Sequence, residues 1–236
     1  MAYICGMPLP SSAKASLTQS AYERLRADML ACRYLPDQRL NISELCESLG
    51  VSLGAVREAL SRLTSEGLVV SEPHRGFRVA QVSPEDLQQL YQARTEIEGL
   101  CLRRSIELGN LDWETGVVAA YYSLSKTAQC GDENALVHEE WLERHADFHS
   151  ALVSSCDNPW LLRMRSQLFD HSQRYRRLSA AVSRKKRSVD KEHKEIMEAA
   201  IARDADQAVA LMRQHLQLTT RILMKGIAAR DIPRST

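Results

Sequence analysis

Apolar residues recur three and four positions apart along most of this chain, the spacing that gathers them on one face of a helix. Leu17 to Cys32 carries Tyr22, Leu25, Met29 and Leu30 in that rhythm, which predicts a first helix. A turn from Tyr34 through Leu35-Pro36-Asp37 then leads into a short extended segment ending at Leu40. Asn41-Ile42-Ser43-Glu44 reads as a capping box, with Asn41 as the cap and Glu44 reaching back. The second helix it opens has Ile42, Leu45 and Leu49 as its buried face and stops at Gly50. Ser52 is a good N-cap for a third, in which Val56, Leu60 and Leu63 fall at i, i+4 and i+7. Arg57, Ser61 and Arg62 point away from that face. By themselves these two helices fit a helix-turn-helix or an ordinary helical hairpin.

The next residues decide between the two. Val69-Val70-Ser71 and Phe77-Arg78-Val79 are β-prone runs on either side of Pro73-His74-Arg75-Gly76, a hairpin signal with Arg75 at its tip. A helix-turn-helix followed by a basic-tipped hairpin is a winged helix, whose second helix enters the major groove. Here the chain resembles the GntR family of bacterial transcription regulators, through Val56-Arg57-Glu58-Ala59-Leu60, Glu66-Gly67-Leu68-Val69 and Arg75-Gly76-Phe77. The resemblance implies a regulator of double-stranded operator DNA. It puts Ser52, Ala55, Arg57 and Arg62 of the recognition helix, and Arg75 and Gly76 of the wing, at that DNA. The helix departs from the family's common Ser-Arg-Thr-Pro-Val-Arg-Glu, reading Ser52-Leu53-Gly54-Ala55-Val56-Arg57-Glu58. Ser43 likewise stands where some relatives have an arginine. Arg57 is then the basic residue of the recognition helix's first half.

Ser83-Pro84-Glu85-Asp86 is a strong helix start, with Ser as cap, Pro at the first helical position and two acids in the first turn. From there to Gly226 the pattern predicts helices at Pro84–Leu108, Trp113–Gln129, Glu133–Ser154, Asn158–Ala180, Asp190–Ala202 and Asp204–Lys225. Asp204-Ala205-Asp206-Gln207 is a second capping box. The resemblance extends here to the FadR-type group of the family, whose effector domain is called FCD. The expected fold is mostly α: an N-terminal winged helix-turn-helix over residues 16–82 and a C-terminal all-helical FCD bundle over residues 83–226. Residues 1–15 are expected as a flexible tail and 227–236 as a second tail.

Composition narrows the setting. The chain has 236 residues and no apolar run of 18, so no membrane-spanning segment is offered. Met1 to Ala15 lacks the basic-then-apolar pattern of a secretory signal. Its six cysteines form no C-x-x-C pair, which suits reduced thiols in the cytoplasm. The net charge is +1, and Leu17 to Val82 holds eight basic and eight acidic residues. Charge alone therefore does not announce a DNA binder. The basic side chains must be concentrated on one face, and a homodimer would double their phosphate contacts. The dense basic run Ser183-Arg184-Lys185-Lys186-Arg187 reads as a solvated loop between helices.

Four of the seven histidines form a constellation. His145 and His149 are i, i+4 on a face shared with Trp141, Phe148 and Leu152, while His193 and His215 lie on two later helices 22 residues apart. On spacing alone they are either a divalent metal site built between facing helices or unrelated polar histidines. The family resemblance implies the metal site, because FCD domains carry Asp-x-x-Phe-His, then Glu-His, then a last His. Phe148-His149, Glu192-His193 and His215 match that pattern, and His145 stands where the family usually has Asp. Four imidazoles favour a transition metal, zinc or nickel first, over magnesium, calcium or manganese. They leave the ion's charge uncompensated, which favours an anionic ligand.

Arg94, in the family's Arg-x-x-x-Glu, is implied to hold a carboxylate of the effector, a bidentate task that suits a guanidinium. The bland alternative is a surface ion pair with Glu98. Arg174, with Arg177 beside Tyr175, is the candidate for a second carboxylate. The Leu53-Gly54 variation, His145 and Leu162-Arg163-Met164-Arg165 resemble a branch controlling glutarate and 4-aminobutyrate catabolism, which implies a small dicarboxylate, glutarate first, that releases a repressor. The competing reading is a metallohydrolase-like helical domain with a DNA-binding appendage. His145 and His149 have His-Glu-x-x-His spacing, but position 146 is Ala, so the general base of such an enzyme is missing. A purely structural metal is a third reading, compatible with the regulator.

Overall fold

The computed structural model describes residues 11–127, 139–179 and 189–228. The chain divides into two compact units, Met1–Val82 and Ser83–Thr236.

In the first unit α1 (Ser11–Leu30) is followed by β1 (Arg39–Leu40), α2 (Ile42–Leu49), α3 (Leu53–Ser65), β2 (Val69–Glu72) and β3 (Gly76–Val79). The helix begins at Ser11, inside the stretch expected as a tail. Ser11 to Ser16 carries no apolar stripe, so periodicity could not register it, although Ala and Lys are good helix formers. Asn41 caps α2 by accepting from Ser43 N at 3.0 Å, and Glu44 accepts from the Asn41 side-chain amide at 2.9 Å. The capping box thus closes side chain to side chain and not onto the cap's backbone. At the far end Gly50 takes φ 65°, ψ 31°, the left-handed conformation in which glycine lacks the Cβ penalty, and its N–H returns to Cys46 O. Ser52 caps α3 through Ala55 N at 3.3 Å.

Amphipathic packing fixes the rest of this unit. Leu25 and Met29 of α1 meet Val56, Leu60 and Leu63 of α3, all with no exposed surface, over Leu45, Leu68, Val69 and Val79. The three strands form an antiparallel sheet in the order β1-β3-β2, with Leu40 opposite Phe77 and Val69 opposite Val79. The two residues of β1 therefore anchor β3, the central strand, to the segment that precedes the helix-turn-helix.

The second unit is helical: α4 (Pro84–Leu108), α5 (Leu111–Lys126), α6 (Glu139–Leu152), α7 (Pro159–Ser179), α8 (Val189–Ile201) and α9 (Ala205–Ala228). Ser83 accepts from Asp86 N at 3.0 Å to start α4, and Asp204 accepts from Gln207 N at 2.9 Å to start α9. α4 is the central helix and packs against α9 and α7, while α5 pairs with α6 and α8 with α9. Leu87, Leu102, Phe148, Leu152, Ile196 and Leu216 fill the core with no exposed surface. Among the described residues no helix is long and apolar enough to cross a membrane. Ser183 to Arg187, read from sequence as a solvated loop, lies outside the described residues.

Removing a buried side chain from the helix-turn-helix core has a predictable cost. Leu60→Ala should destabilise the N-terminal unit by about 2–5 kcal/mol, because the cavity adds to the lost transfer free energy. Glu58→Ala, two residues earlier on the exposed side, should stay within about 0.5 kcal/mol of wild type. Urea unfolding of the two variants against wild type checks both values.

Candidate functional site

The sequence-predicted DNA residues separate by face. Ser52 spends its hydroxyl on the cap of α3. Arg57 is exposed on that helix and Arg75 is exposed in the turn between β2 and β3. Arg39 donates to the Arg75 carbonyl at 2.8 Å, bracing the turn, and Gly76 holds φ 90°, where a side chain would be strained. Ala55 is 9% exposed and belongs to the hydrophobic side of α3 beside Val56, so its methyl does not face outward. Arg62 is turned back onto α1: its guanidinium lies 3.7 Å over the Tyr22 ring and donates to Gln19 at 2.8 Å.

Several acidic residues of this unit are engaged internally: Arg26 pairs with Glu66 at 2.8 Å, Arg33 with Asp28 at 2.5 Å, and Arg78 with Glu72 at 3.2 Å. Among the described residues neither Arg57 nor Arg75 belongs to an ion pair. Both guanidiniums thereby stay exposed, one on the third helix beside Glu58 and one at the hairpin tip.

Inside the bundle the four histidines come together. Each offers a ring nitrogen, and these atoms lie within 4.8 Å of one another. Ring centroids are 4.5 Å apart for His145 and His149, 4.8 Å for His193 and His215, and 5.1 Å for His145 and His193. All four side chains are at most 2% exposed, and neither ring nitrogen of His145 or His149 has a hydrogen-bond partner. Buried polar atoms left without a partner are rare and costly. Ligands at zinc–nitrogen distance from one ion are at most about 4.2 Å apart, so the cluster needs only small side-chain adjustments to close on a cation. The residues fit a divalent transition metal.

Charge behind the rings modifies the expectation of an uncompensated ion. Glu192 Oε2 sits 2.9 Å from His215 Nδ1, where a carboxylate can fix the orientation of the imidazole. Glu98 Oε1 lies 3.9 Å from His149 Nδ1, too far for a hydrogen bond but close enough to matter electrostatically. Two acids thus stand behind the ligands in place of the missing aspartate among them.

Glu98 organises the charged groups beside the cluster. Fully buried, it is held by Arg165 at 3.0 Å and approached by Arg94 at 3.7 Å. The ion pair with Arg94 exists, as the bland reading of that residue had it, but in the core and not on the surface. Arg94 Nη1 donates to Ser172 at 2.8 Å, while its Nε and Nη2 have no hydrogen-bond partner. Its guanidinium lies 4.7 Å from the Phe169 ring, which in turn is 6.0 Å from His149. Two guanidiniums against one carboxylate leave a positive surplus next to the histidines.

α7 faces Glu98 with arginines other than Arg174 and Arg177, which nearness to Tyr175 had suggested. Arg165, Phe169, Ser172 and Arg176 stand at i, i+4, i+7 and i+11, one helical stripe toward the site. Arg165 also donates to the His149 carbonyl at 2.7 Å, and Arg176 lies 6.0 Å over Trp141, whose ring stacks on His145. Arg174 is buried but comes two residues after Ser172, about 200° round the axis and off that stripe. Arg177 pairs with exposed Glu139, its Nη2 donating at 2.8 Å. The i, i+4, i+7 rule that located the histidine face would have found Arg165 and Arg176 had it been applied to α7.

This geometry agrees with comparison to known proteins. Residues 17–79 match the bacterial regulatory proteins of the gntR family and residues 89–218 match the FCD domain. The chain belongs to the GntR family. It is 38% identical over 215 residues to the HTH-type transcriptional regulator BphR of Paraburkholderia xenovorans (strain LB400), covering 89% of this chain and 86% of that one. It is 36% identical over 211 residues to the HTH-type transcriptional repressor GlaR of Escherichia coli (strain K12), covering 88% and 96%. The solved structure of E. coli McbR/YncC shares the fold with a TM-score of 0.75 at 23% identity, over 89% of this chain and 97% of that one. As a GntR protein with an FCD domain the chain is a ligand-responsive transcriptional regulator and not an enzyme, which sets aside the metallohydrolase reading.

Burial sets the proton affinity of the site. Desolvation pushes His149 down to about 3 despite the nearby Glu98, and it pushes His145 well below the usual imidazole value. For Glu98 burial acts the other way, yet the Arg165 charge, with His149 and Arg94, holds the carboxyl well below the ordinary range. All these folded-state values lie below the unfolded ones, so the unfolded chain binds more protons as pH falls. Metal-free protein should therefore lose bundle stability as pH drops from about 6.5 toward 3, the histidines acting first and Glu98 adding below about 4.5. Unfolding midpoints measured at stepped pH in the presence of chelator should fall steadily through that window; a flat profile would contradict the buried, neutral cluster.

Proposed function

We propose that this GntR protein is a homodimeric repressor that binds an inverted-repeat operator and is released by a small dicarboxylate, glutarate first. The observation that carries this reading is the four-histidine cluster near a buried Arg94, which stacks on Phe169 and has two donors without a hydrogen-bond partner. The name of the relative GlaR supports the sign of regulation, since it is called a repressor. A regulator that reads bacterial operator DNA works where that DNA is, in the cytoplasm.

His145, His149, His193 and His215 would hold one divalent transition metal, zinc or nickel first, which supplies a Lewis-acidic anchor for one carboxylate when bound. Arg94 holds the second carboxylate through Nε and Nη2, with Ser172 fixing its remaining arm. Arg165 keeps Glu98 from competing by engaging it directly. Charge attraction here is stronger than at the surface, because little water screens it.

The route to DNA runs along α7. Six residues after Phe169 and three after Ser172, the helix carries Tyr175, whose hydroxyl is within 3.3 Å of Ser83 N and also bonds Asp86. Ser83 directly follows the DNA-binding unit in the chain. A ligand that draws α4 and α7 together thus acts on the first turn after that unit. It shifts the DNA-competent population only as far as its affinity differs between the two states. A winged helix of this size gains affinity by pairing, and two-fold pairing requires an inverted repeat.

Three outcomes are expected. Arg57→Ala should lose about 1–3 kcal/mol of discrimination at one guanine per half-site while retaining weak, salt-sensitive binding, as read by competition footprinting. Protein purified without chelator should carry about one divalent ion per chain, and His149→Ala should lower both that occupancy and the melting temperature, as read by elemental analysis and calorimetry. Millimolar glutarate should raise the melting temperature and weaken operator binding. Arg94→Lys, which keeps a charge against Glu98 but loses the forked donor, should abolish both responses and spare DNA affinity without ligand. If Arg94→Lys responds to glutarate as wild type does, the carboxylate clamp lies elsewhere.

A further inference from the structure

Leu53 is out of place by the logic that builds α3. Ala55, Val56, Ala59, Leu60 and Leu63 are all buried, the last four with no exposed surface, whereas Leu53 is 54% exposed. It is the first residue after the Ser52 cap, so it sits at the end of α3 that a winged helix presents to base edges. The next position is Gly54, and a Cβ built there would meet only the Ser52 hydroxyl, at 3.9 Å, so open surface lies beside the leucine. Leu53 and Arg57 are i, i+4 and lie next to each other, both exposed. An apolar side chain and a guanidinium thus form a two-residue reading edge.

The chemistry of that edge is specific. An arginine reads guanine through its acceptor edge, while an isobutyl group has no hydrogen bond to give and finds one apolar feature in the major groove, the 5-methyl group of thymine. Side chains at i, i+4 are about 5–6 Å apart, which spans one to two base-pair steps. We propose that Leu53 is a specificity-determining residue that seats against a thymine methyl one or two base pairs from the guanine read by Arg57. The inference rests on α3 being the helix in the groove. It adds a second recognised base and explains the exposed leucine.

Replacing thymine by deoxyuridine removes the methyl and leaves the hydrogen-bonding edge and the charge unchanged. The operator is first obtained by in vitro selection with the full-length protein, and each thymine of a half-site is then replaced in turn. One replacement should weaken wild-type binding about fourfold, the value of one buried methyl-sized group. Leu53→Ala, at an exposed position that leaves the melting temperature unchanged, should bind the thymine operator more weakly and show no further loss with deoxyuridine at that base. Such non-additivity is the signature of direct contact. Equal losses in both proteins, or no loss at any thymine in wild type, overturn the assignment. Arg57→Ala separates the two levels: if it relaxes guanine preference while deoxyuridine changes nothing, the docking stands and the role of Leu53 falls. If neither matters, α3 is not the reading helix.

Discussion

A carboxylate with no exposed surface, Glu98, stands at the centre of this bundle, and much of the surrounding structure exists because of it. A buried charge is tolerated only when opposite charges and donors surround it, and breaking such a pair by removing one partner is strongly destabilising. Arg165 from α7 and Arg94 from its own helix supply those partners, and His149 of α6 approaches from the third side. Arg165 extends the arrangement by binding the His149 carbonyl, so one guanidinium clamps α4, α6 and α7 to one another. Two guanidiniums thus face one buried carboxylate, and the histidines of α6, α8 and α9 gather beside them.

The DNA-binding unit solves the opposite problem with the same means. It has no net charge to spend, so its internal ion pairs decide where positive potential remains. Arg26, Arg33 and Arg78 are matched with Glu66, Asp28 and Glu72 as struts between elements, and Arg62 is laid on Tyr22. Arg57 and Arg75 are left facing outward, one on the helix and one on the hairpin. Surface pairs of this kind add little stability individually, but they set the distribution of charge that a nucleic acid meets.

Ligand response in such a protein needs a mechanical link rather than a long pathway. α7 carries Phe169 and Ser172 against Arg94 and, three residues after Ser172, the hydroxyl that meets Ser83. Desolvation and the bond to Asp86 raise the Tyr175 phenol above its ordinary range, so it stays protonated and able to donate. Site and boundary are thus joined within one turn of one helix.

Local patterning was sufficient for the elements themselves. Ser52, Asn41, Ser83 and Asp204 cap the helices that their neighbours' periodicity predicted, and the Pro73–Gly76 turn made the hairpin legible, because caps and turns depend on a few adjacent residues. The histidines were legible as candidates for the same reason: i, i+4 spacing fixes a face without reference to the rest of the fold. Spacing could not say whether that face met His193 and His215, nor that Glu98 would be entombed beside it, since both depend on how α4, α8 and α9 pack. The same limit applies to Arg174: proximity in sequence to Tyr175 suggested it, while the helical phase of α7 puts Arg165 and Arg176 on the stripe with Phe169 and Ser172. Ala55 and Arg62 belong to that class too, a methyl and a guanidinium whose direction was decided by α1 lying across α3. The sequence determined which segments would be helical and which residues could do chemistry; tertiary packing alone decided which of them share one buried space, because burial is a property of neighbours distant in the chain.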